Sequence, residues 1–291
     1  MLRTALTLSA VTGRSFRMEN IRGSRKNPGL KDQHITAVKA AAALSSAEVK
    51  EMQRGSKELE FHPGELSPRD LELKVGTAGS VNLVLDTVLP LTTQFEQSLR
   101  FDIYGGTDVR WSPTSLYMKE VKLPLLRKYG FRGKLEYLRH GFYPEGGGHV
   151  RFTSEKCSLE TIDILERGEK VATEKRSIST QEAGTTVGSD SEGAAVLKKI
   201  EYAKSIAGFD NVGEDIQEAE KGLEIAESSS SGVAPVDTYM GDQLMVFLAL
   251  VGGRYLAPEL TPHIETNISV IRKFGKEVLF EERKEGLYIE I

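Results

Sequence analysis

The sequence predicts an α+β protein made of three repeats of the order β-α-β-α-β-β, with the first strand missing from the first repeat. Apolar residues alternate along short segments and recur at helical spacing along longer ones, and this order returns three times. Glycine-rich turns separate several strands from helices, and 291 residues with 39% hydrophobic side chains suffice for a sizeable core. We expect repeats at residues 1–62, 68–154 and 236–291, with residues 1–154 and 236–291 forming one domain and residues 155–235 a small polar insert with a Ser-rich linker.

The first repeat is predicted to open with a helix. Its expected elements are a helix over residues 2–12, a strand over 15–21, a helix over 30–44 and short strands over 48–53 and 58–61. The second repeat has all six elements: a strand over 71–75, a helix over 81–89 that Pro90 ends, a strand over 99–104, a helix over 115–129 and strands over 134–138 and 148–153.

The third repeat is predicted from a helix over residues 239–251 onward. A strand around Tyr255, a helix that begins at Pro262 and strands over 278–282 and 287–291 complete it. Within the insert, helices are expected over 194–207 and 214–226, whereas the segments 184–193 and 228–231 are typical of linkers.

The composition limits the kinds of ligand and the cellular compartment that are compatible with this sequence. The net charge of −4 gives no general attraction to nucleic acid, but residues 1–31 hold seven Lys or Arg and only Glu19 as an acid, which favours an anionic ligand there. The single cysteine, Cys157, excludes an internal disulfide and indicates a reducing compartment, the cytoplasm or, in a eukaryote, the nucleus. Residues 1–17 also have the composition of a mitochondrial transit peptide, but the apolar spacing of Leu2, Leu6 and Ala10 favours the core face of a helix. No apolar run approaches the ~20 residues of a membrane span.

The segment around His263 indicates a reactive histidine at a helix start. Thr261 is a suitable N-cap and Pro262 a suitable first helical residue, so His263 lies in the first turn. The helix N-terminus attracts phosphate and favours a neutral imidazole, which is a nucleophile for phosphorus. The alternative is an ordinary surface or structural histidine.

Phosphate-binding groups are expected in two other places. Glycine-rich turns at residues 76–80, 105–108 and 144–148 allow close approach of a phosphate to the backbone, although such glycines often serve turn geometry alone. The second place is a basic cluster that either binds phosphate or forms a solvated rim. Its members are Arg3, Arg22, Arg25 and Lys26, with Gln33 and His34 on the next helix.

A third group lies on one predicted helix turn. Tyr239 stands beside Asp242 and Gln243, so a nucleobase can stack on the ring, unless Tyr239 belongs to the core. Cys/His zinc spacing, a Gly-x-Ser-x-Gly turn and a Gly-x-Gly-x-x-Gly fingerprint are absent, which argues against zinc hydrolases and dehydrogenases.

Taken together, these motifs resemble the RNA 3′-terminal phosphate cyclase family, over about residues 1–155 and 236–291. The segments that carry the resemblance are LRTALTLS (2–9), IRGSR (21–25), NPGL (27–30), QHITAVKA (33–40), GTAGS (76–80), GGTD (105–108), RHGFYP (139–144), YMGDQ (239–243) and HIETN (263–267). They stand in the family's order, so the series is specific where each segment alone is weak.

The resemblance implies an ATP-dependent ligase-type enzyme of RNA processing or repair, which converts an RNA 3′-phosphate to a 2′,3′-cyclic phosphodiester and releases AMP and pyrophosphate. It implies three repeats like the C-terminal domain of translation initiation factor three, with a small inserted domain. His263 would be adenylylated, and Mg²⁺ or Mn²⁺ would shield the triphosphate. The residues implied for the phosphates are Arg3, Arg22, Arg25 and Gln33, and those implied for adenine are Pro113 and Tyr239, with Asp242 and Gln243 nearby.

The sequence departs from the family at its start. The family's first strand and its Gly-Glu-Gly-Gly-Gly-Gln loop, which brings a glutamate to the metal, have no counterpart before Leu2. This departure leaves open a non-catalytic relative that binds RNA or assists ribosome assembly. The repeat architecture by itself also leaves open an enolpyruvyl transferase, which shares that architecture in outline.

Overall fold

The computed structural model describes residues 1–167, 175–176, 187–188 and 234–291, and the α+β class is confirmed. The helices predicted over 194–207 and 214–226, the linker predicted over 228–231 and most of 184–193 lie outside the described residues. Among the described residues, no helix is both long enough and apolar enough to cross a membrane.

The first repeat forms a three-stranded antiparallel sheet under two helices. The elements are α1 (Leu2–Thr12), β1 (Phe16–Met18), α2 (Asp32–Leu44), β2 (Glu48–Lys50) and β3 (Leu59–His62), and the sheet order is β1-β3-β2. Strand β1 is shorter than predicted because the backbone turns after it: Asn20 and Arg22 both have φ of 53°, and the Ile21 N–H donates to the Lys57 carbonyl at 2.9 Å.

The second repeat has its complete set of strands. The elements are β4 (Leu71–Lys74), α3 (Val81–Thr92), β5 (Arg100–Gly105), α4 (Ser115–Tyr117), a π-helical turn (Met118–Lys122), α5 (Leu123–Lys128), β6 (Gly133–Arg139) and β7 (Gly148–Ser154). The sheet order is β4-β5-β7-β6, in which β4 and β5 are parallel and the other pairs antiparallel.

The third repeat has the same topology. Its elements are β8 (Ile162–Ile164), α6 (Thr238–Val251), β11 (Gly253–Ala257), α7 (Pro262–Lys273), β12 (Leu279–Arg283) and β13 (Gly286–Glu290), and β8 and β11 are parallel. The sheet order is β12-β13-β11-β8, so reading from β8 gives the same order as reading from β4. The first sheet has this order without its first member.

One strand of the third sheet falls inside the range predicted as insert. Strand β8 belongs to the third sheet because its backbone pairs with β11, at Gly253 with Ile162 and Tyr255 with Ile164. The third repeat therefore takes its first strand from before residue 236, and the rest of the division into domain and insert stays a prediction. Strands β9 (Lys175–Arg176) and β10 (Val187–Gly188) pair with each other.

Two helix predictions need correction. Pro90 lies inside α3 rather than ending it, because Leu89 and Leu91 on either side are fully buried and their packing outweighs one missing backbone hydrogen bond. The helix predicted over 115–129 is interrupted by the π-helical turn, a feature that often marks functional sites. This turn directs Lys122 into the interior, where the residue is 1% exposed.

Helices from all three repeats meet around α1. This helix packs against α2 of its own repeat, α3 of the second repeat and both α6 and α7 of the third. Its central residues Leu6 and Leu8 are buried for this reason, whereas Arg3 in the first turn stays partly accessible. The position of α1 thus brings Arg3 to the junction of the three repeats.

Candidate functional site

A small cavity lies where the helices of the three repeats meet. Among the residues predicted for the site, Arg3, Asp242 and Gln243 line it. The others that line it are Met1, Thr4, Asp86, Lys122, Val246 and Asn267. The cavity therefore combines side chains from α1, α3, the π-helical turn, α6 and α7, and no single repeat could form it.

A buried ion pair forms one wall of the cavity. The Lys122 ammonium donates to Asp86 Oδ1 at 2.6 Å and to Gln243 Oε1 at 2.9 Å. The Lys122 and Asp86 side chains are only 2% and 4% exposed. Arg3 Nε lies 3.8 Å from Asp86 Oδ2, which has no hydrogen-bond partner in the part of the chain that the structure describes. Lys122 thus fixes the Gln243 amide, and the second carboxylate oxygen of Asp86 is buried beside Arg3.

His263 lies in the first turn of α7, as predicted, and its side chain is exposed. Thr261 caps this helix, because its Oγ1 accepts from the Ile264 N–H at 3.1 Å, and Pro262 is the first helical residue. Burial raises the pKa of Asp242, and the Arg3 guanidinium and the His263 imidazole oppose that rise. The nucleophile candidate and Arg3 therefore share the electrostatic environment of one carboxylate.

Hydrogen bonds hold α1, α6 and α7 together around the cavity. Thr4 Oγ1 donates to Asn267 Oδ1 at 2.9 Å, and Asn267 Nδ2 donates to the Asp242 carbonyl at 3.2 Å. Thr4 and Asn267 are buried, so each bond also satisfies a polar group that water does not reach. The relative placement of Arg3, Asp242 and His263 is accordingly fixed.

The start of α6 carries Tyr239 beside the Pro113 segment. Asp237 caps α6 by accepting from the Tyr239 N–H at 2.7 Å, and the Tyr117 hydroxyl donates to the same carboxylate at 2.8 Å. Burial, with Asp237 close by, raises the pKa of Tyr117 well above its usual value. Tyr239 itself is 55% exposed. Because Tyr117 follows Pro113 closely, this bond ties together the two segments predicted to contact adenine.

The other arginines predicted to bind phosphate lie on the first repeat. Arg22 Nη1 donates to the carbonyls of Asn27 at 2.8 Å and Gly29 at 3.1 Å, whereas Arg25 is exposed. Burial, together with the positive charges of Arg22, Arg3 and Lys31, lowers the pKa of His34 to about 4. Arg22 and Arg3 therefore contribute to one positive region.

Gln33 contacts the second repeat. Its Oε1 accepts from the Ser80 N–H at 2.9 Å, so α2 is joined to the turn at residues 76–80. This amide oxygen is occupied within the protein, and the Gln33 NH₂ group is the part suited to an anionic ligand.

The three glycine-rich turns come together at one end of the second sheet. The Gly106 N–H donates to the Gly79 carbonyl, the Val81 N–H donates to the Gly106 carbonyl, both at 2.9 Å, and the Thr107 N–H donates to the Gly141 carbonyl at 2.8 Å. A Cβ on Gly146 would lie 2.9 Å from the Thr77 carbonyl oxygen, so glycine is needed there for close packing. These N–H groups stabilise the turns and are not free for a phosphate.

Sequence reasoning missed the buried pair and the polar bridge between α1 and α7. A signal for Asp86 exists, because it stands alone within the apolar run VNLVLDTVLP and a buried charge needs a partner. Lys122 gives no such signal, since a regular helix would place it differently from the π-helical turn. The bond between Thr4 and Asn267 joins residues 263 positions apart, and local patterns carry no information on it.

The residues that line the cavity fit a divalent cation only in part. Among the described residues, no group of three or more His, Cys, Asp or Glu side chains could hold a metal. Magnesium, however, is commonly bound through one or two carboxylates together with substrate phosphates. Asp86 and Asp242, which both line the cavity, are carboxylates of the kind that would be needed for such binding.

The family model and the related proteins that match this chain carry the same description. The sequence model described as "RNA 3'-terminal phosphate cyclase" matches residues 1–279. A protein of that name from Saccharolobus islandicus (strain L.S.2.15) is 38% identical, covering 94% of this chain and 90% of its own length. One from Halobacterium salinarum (strain R1) is 35% identical, covering 99% and 96%.

Among solved structures, "Crystal structure of the enolpyruvyl transferase NikO from Streptomyces tendae" aligns with a TM-score of 0.42 and 12% identity, covering 99% of this chain and 45% of the other. A score of this size carries no argument about function. The family match over residues 1–279, with relatives that align along almost the whole chain, is decisive. This chain belongs to the RNA 3′-terminal phosphate cyclase family.

Proposed function

We propose that the chain catalyses the ATP-dependent conversion of an RNA 3′-terminal phosphate to a 2′,3′-cyclic phosphodiester through a covalent histidine-AMP intermediate. The observation that carries the proposal is the position of His263, exposed in the first turn of α7 and within the electrostatic environment shared with Arg3 and Asp242. Membership of the cyclase family supports the reaction class. The proposed partners are ATP and RNA that ends in a 3′-phosphate, and the proposed location is the cytoplasm.

In the first step, an imidazole nitrogen of His263 attacks the α-phosphorus of ATP. A P–N bond forms, the bond between the α-phosphorus and the bridging oxygen breaks, and pyrophosphate leaves with that oxygen. The backbone N–H groups at the start of α7 and the nearby Arg3 guanidinium suit the negative charge that develops on the phosphate oxygens.

In the second step, an oxygen of the RNA 3′-phosphate attacks the same phosphorus and displaces His263, so that AMP is joined to the RNA end. The neighbouring 2′-hydroxyl then loses its proton and attacks the RNA phosphorus, which closes the cyclic diester and releases AMP. Holding the 2′-oxygen close to this phosphorus supplies much of the rate enhancement.

The residues predicted for the site fall into a group that would bind phosphates and a group that would bind adenine. Arg3, Arg22, Arg25 and Gln33 would bind the phosphates of ATP or RNA, because the charge of Arg22 and Arg3 acts on one region and Gln33 lies beside it. Pro113 and Tyr239 would enclose the adenine, which the bond between Tyr117 and Asp237 supports. Asp242 and Gln243 complete the cavity.

A divalent cation, Mg²⁺ or Mn²⁺, belongs to the proposal as the charge shield of the triphosphate. Asp86 and Asp242 are the carboxylates suited to hold it together with the phosphate oxygens. When bound, such an ion neutralises charge on the phosphates and on the leaving pyrophosphate.

The test is covalent labelling with α-labelled ATP and Mg²⁺ or Mn²⁺. The wild-type chain should retain label that acid releases and alkali does not, as expected for a phosphoramidate, and His263→Ala should retain none. His62→Ala is the control, since His62 is a partly exposed histidine on β3, outside the candidate site. A folded wild-type chain that takes no label but binds 3′-phosphorylated RNA would instead favour a non-catalytic relative.

A further inference from the structure

Trp111 is the most exposed large hydrophobic side chain among the described residues. It is the only tryptophan of the chain and is 98% exposed. Its φ of 63° is in the left-handed region that bulky residues rarely adopt. An indole left entirely in water forgoes the burial that usually stabilises it, so this exposure is informative. Strained backbone of this kind is common where a loop holds a ligand.

The loop that carries Trp111 is held firmly at both ends. Fully buried Asp108 accepts from the Ser115 N–H at 2.6 Å through Oδ1, and its Oδ2 lies 2.9 Å from His140 Nδ1. Asn82 Nδ2 donates to the carbonyls of Thr107 at 2.6 Å and Pro113 at 2.8 Å. The indole is therefore presented by a braced segment, which lowers the entropy lost on binding.

A second exposed aromatic stands on the neighbouring loop. Tyr143 is 75% exposed, and its loop is joined to that of Trp111 because the Gly141 N–H donates to Thr107 Oγ1 at 3.0 Å. Arg110, on the loop of Trp111, and Arg139, at the end of β6 before the loop of Tyr143, are also exposed. Exposed aromatic rings with neighbouring arginines are characteristic of surfaces that bind single-stranded RNA.

We propose that Trp111 and Tyr143, here called the aromatic platform, stack the bases next to the 3′ end of single-stranded RNA, while Arg110 and Arg139 attract its phosphates. This inference rests on the proposed function, because it assigns a place to the RNA of that reaction. Pro113, predicted to contact adenine, lies on the same loop as Trp111. An RNA strand bound to the platform would therefore have its 3′ end close to the predicted nucleotide site. A second copy of this chain is the competing occupant.

The lone tryptophan makes a direct test possible. Wild-type protein should be titrated with an unlabelled single-stranded oligoribonucleotide of roughly ten nucleotides that ends in a 3′-phosphate, while the tryptophan fluorescence is recorded. Stacking should quench and shift the emission, and RNA should protect the indole from acrylamide. Emission that changes with protein concentration in the absence of RNA would mean that a second copy covers the platform, and would overturn the proposal.

Variants give the size of the effect. Measured by anisotropy of a labelled version of the same RNA, Trp111→Ala should weaken binding by roughly 5- to 150-fold, the range expected for one lost base stack. Trp111→Phe should stay closer to wild type, because it keeps an aromatic face. Phe280→Ala on β12 removes another exposed ring and should leave RNA affinity unchanged.

The labelling and fluorescence experiments distinguish an error in the proposed RNA platform from an error in the proposed cyclase activity. A wild-type chain that takes the AMP label but shows no change in tryptophan emission with RNA refutes the platform alone. A chain that takes no label but shows the emission change, with loss of affinity in Trp111→Ala, refutes the chemical step and supports the platform. Equal RNA affinity in Trp111→Ala and Phe280→Ala would also refute the platform.

Discussion

Replacing Lys122 with methionine should destabilise the protein strongly, because it strands the buried Asp86 carboxylate. Lys122 donates to Asp86 Oδ1 at 2.6 Å, whereas Asp86 Oδ2 has no hydrogen-bond partner among the described residues and lies 3.8 Å from Arg3 Nε. Breaking a buried pair by removing one member typically costs about 3–5 kcal/mol. Set against a total stability of roughly 5–15 kcal/mol, this is a large fraction. Urea denaturation of wild type and Lys122→Met measures the change in the free energy of unfolding.

Two further variants test whether the unpaired Asp86 carboxylate causes the loss of stability. Lys74→Met removes a lysine whose Nζ also lies 2.6 Å from a carboxylate, that of Glu72, but both partners are largely exposed, so little change is expected. In the double variant Asp86→Leu with Lys122→Met, no charge is left stranded, and most of the lost stability should return. A loss below about 1 kcal/mol in Lys122→Met, or no recovery in the double variant, would refute this account of the buried pair.

Three other perturbations test the helix starts and a buried histidine. Thr261→Ala should cost about 1 kcal/mol by thermal or urea unfolding, because the cap on the Ile264 N–H is lost, and Thr261→Ser should cost less. Asp237→Ala should cost roughly 2–4 kcal/mol, since it removes the cap of α6 and leaves the Tyr117 hydroxyl without an acceptor, whereas Asp237→Asn should retain part of both; equal losses would contradict the assignment. The pKa of His34 is lowered to about 4, so its contribution to stability is complete above its ordinary value of 6.5 and is lost as the pH falls toward 4. His34 Nδ1 accepts from the Lys31 N–H at 3.0 Å at the start of α2, and Gln can replace this acceptor. Comparing wild type with His34→Gln should therefore reveal about 2–3 kcal/mol of stability that disappears over that range; parallel pH profiles would disprove it.

Local chemistry made part of the structure predictable. The start of α7 was predicted correctly, because Thr261 and Pro262 act on backbone groups within three residues of themselves. The order of elements in the second repeat could be predicted for the same reason, since each strand and helix carries its own apolar spacing.

Features that depend on distant partners were not predictable. Strand β8 has only three residues, and its partner β11 lies about ninety positions later. No local sequence pattern therefore indicates that β8 belongs to the third sheet. The inward direction of Lys122 follows from a π-helical turn that regular helical spacing cannot reveal. Of the predicted site residues, Arg3, Asp242 and Gln243 line one cavity, but the groups that hold them in place come from three repeats.

The parallel pairing of β8 with β11 gives the third repeat an unusual tolerance for change in length. The chain leaves the sheet after Ile164 and re-enters the domain at Val236, which is buried just before the Asp237 cap of α6. The entropy of closing a loop grows only with the logarithm of its length, by about 0.6 kcal/mol per doubling. Segments of very different size can therefore be exchanged between these two points at little thermodynamic cost to the domain, and this is the natural place to graft a foreign sequence onto the protein.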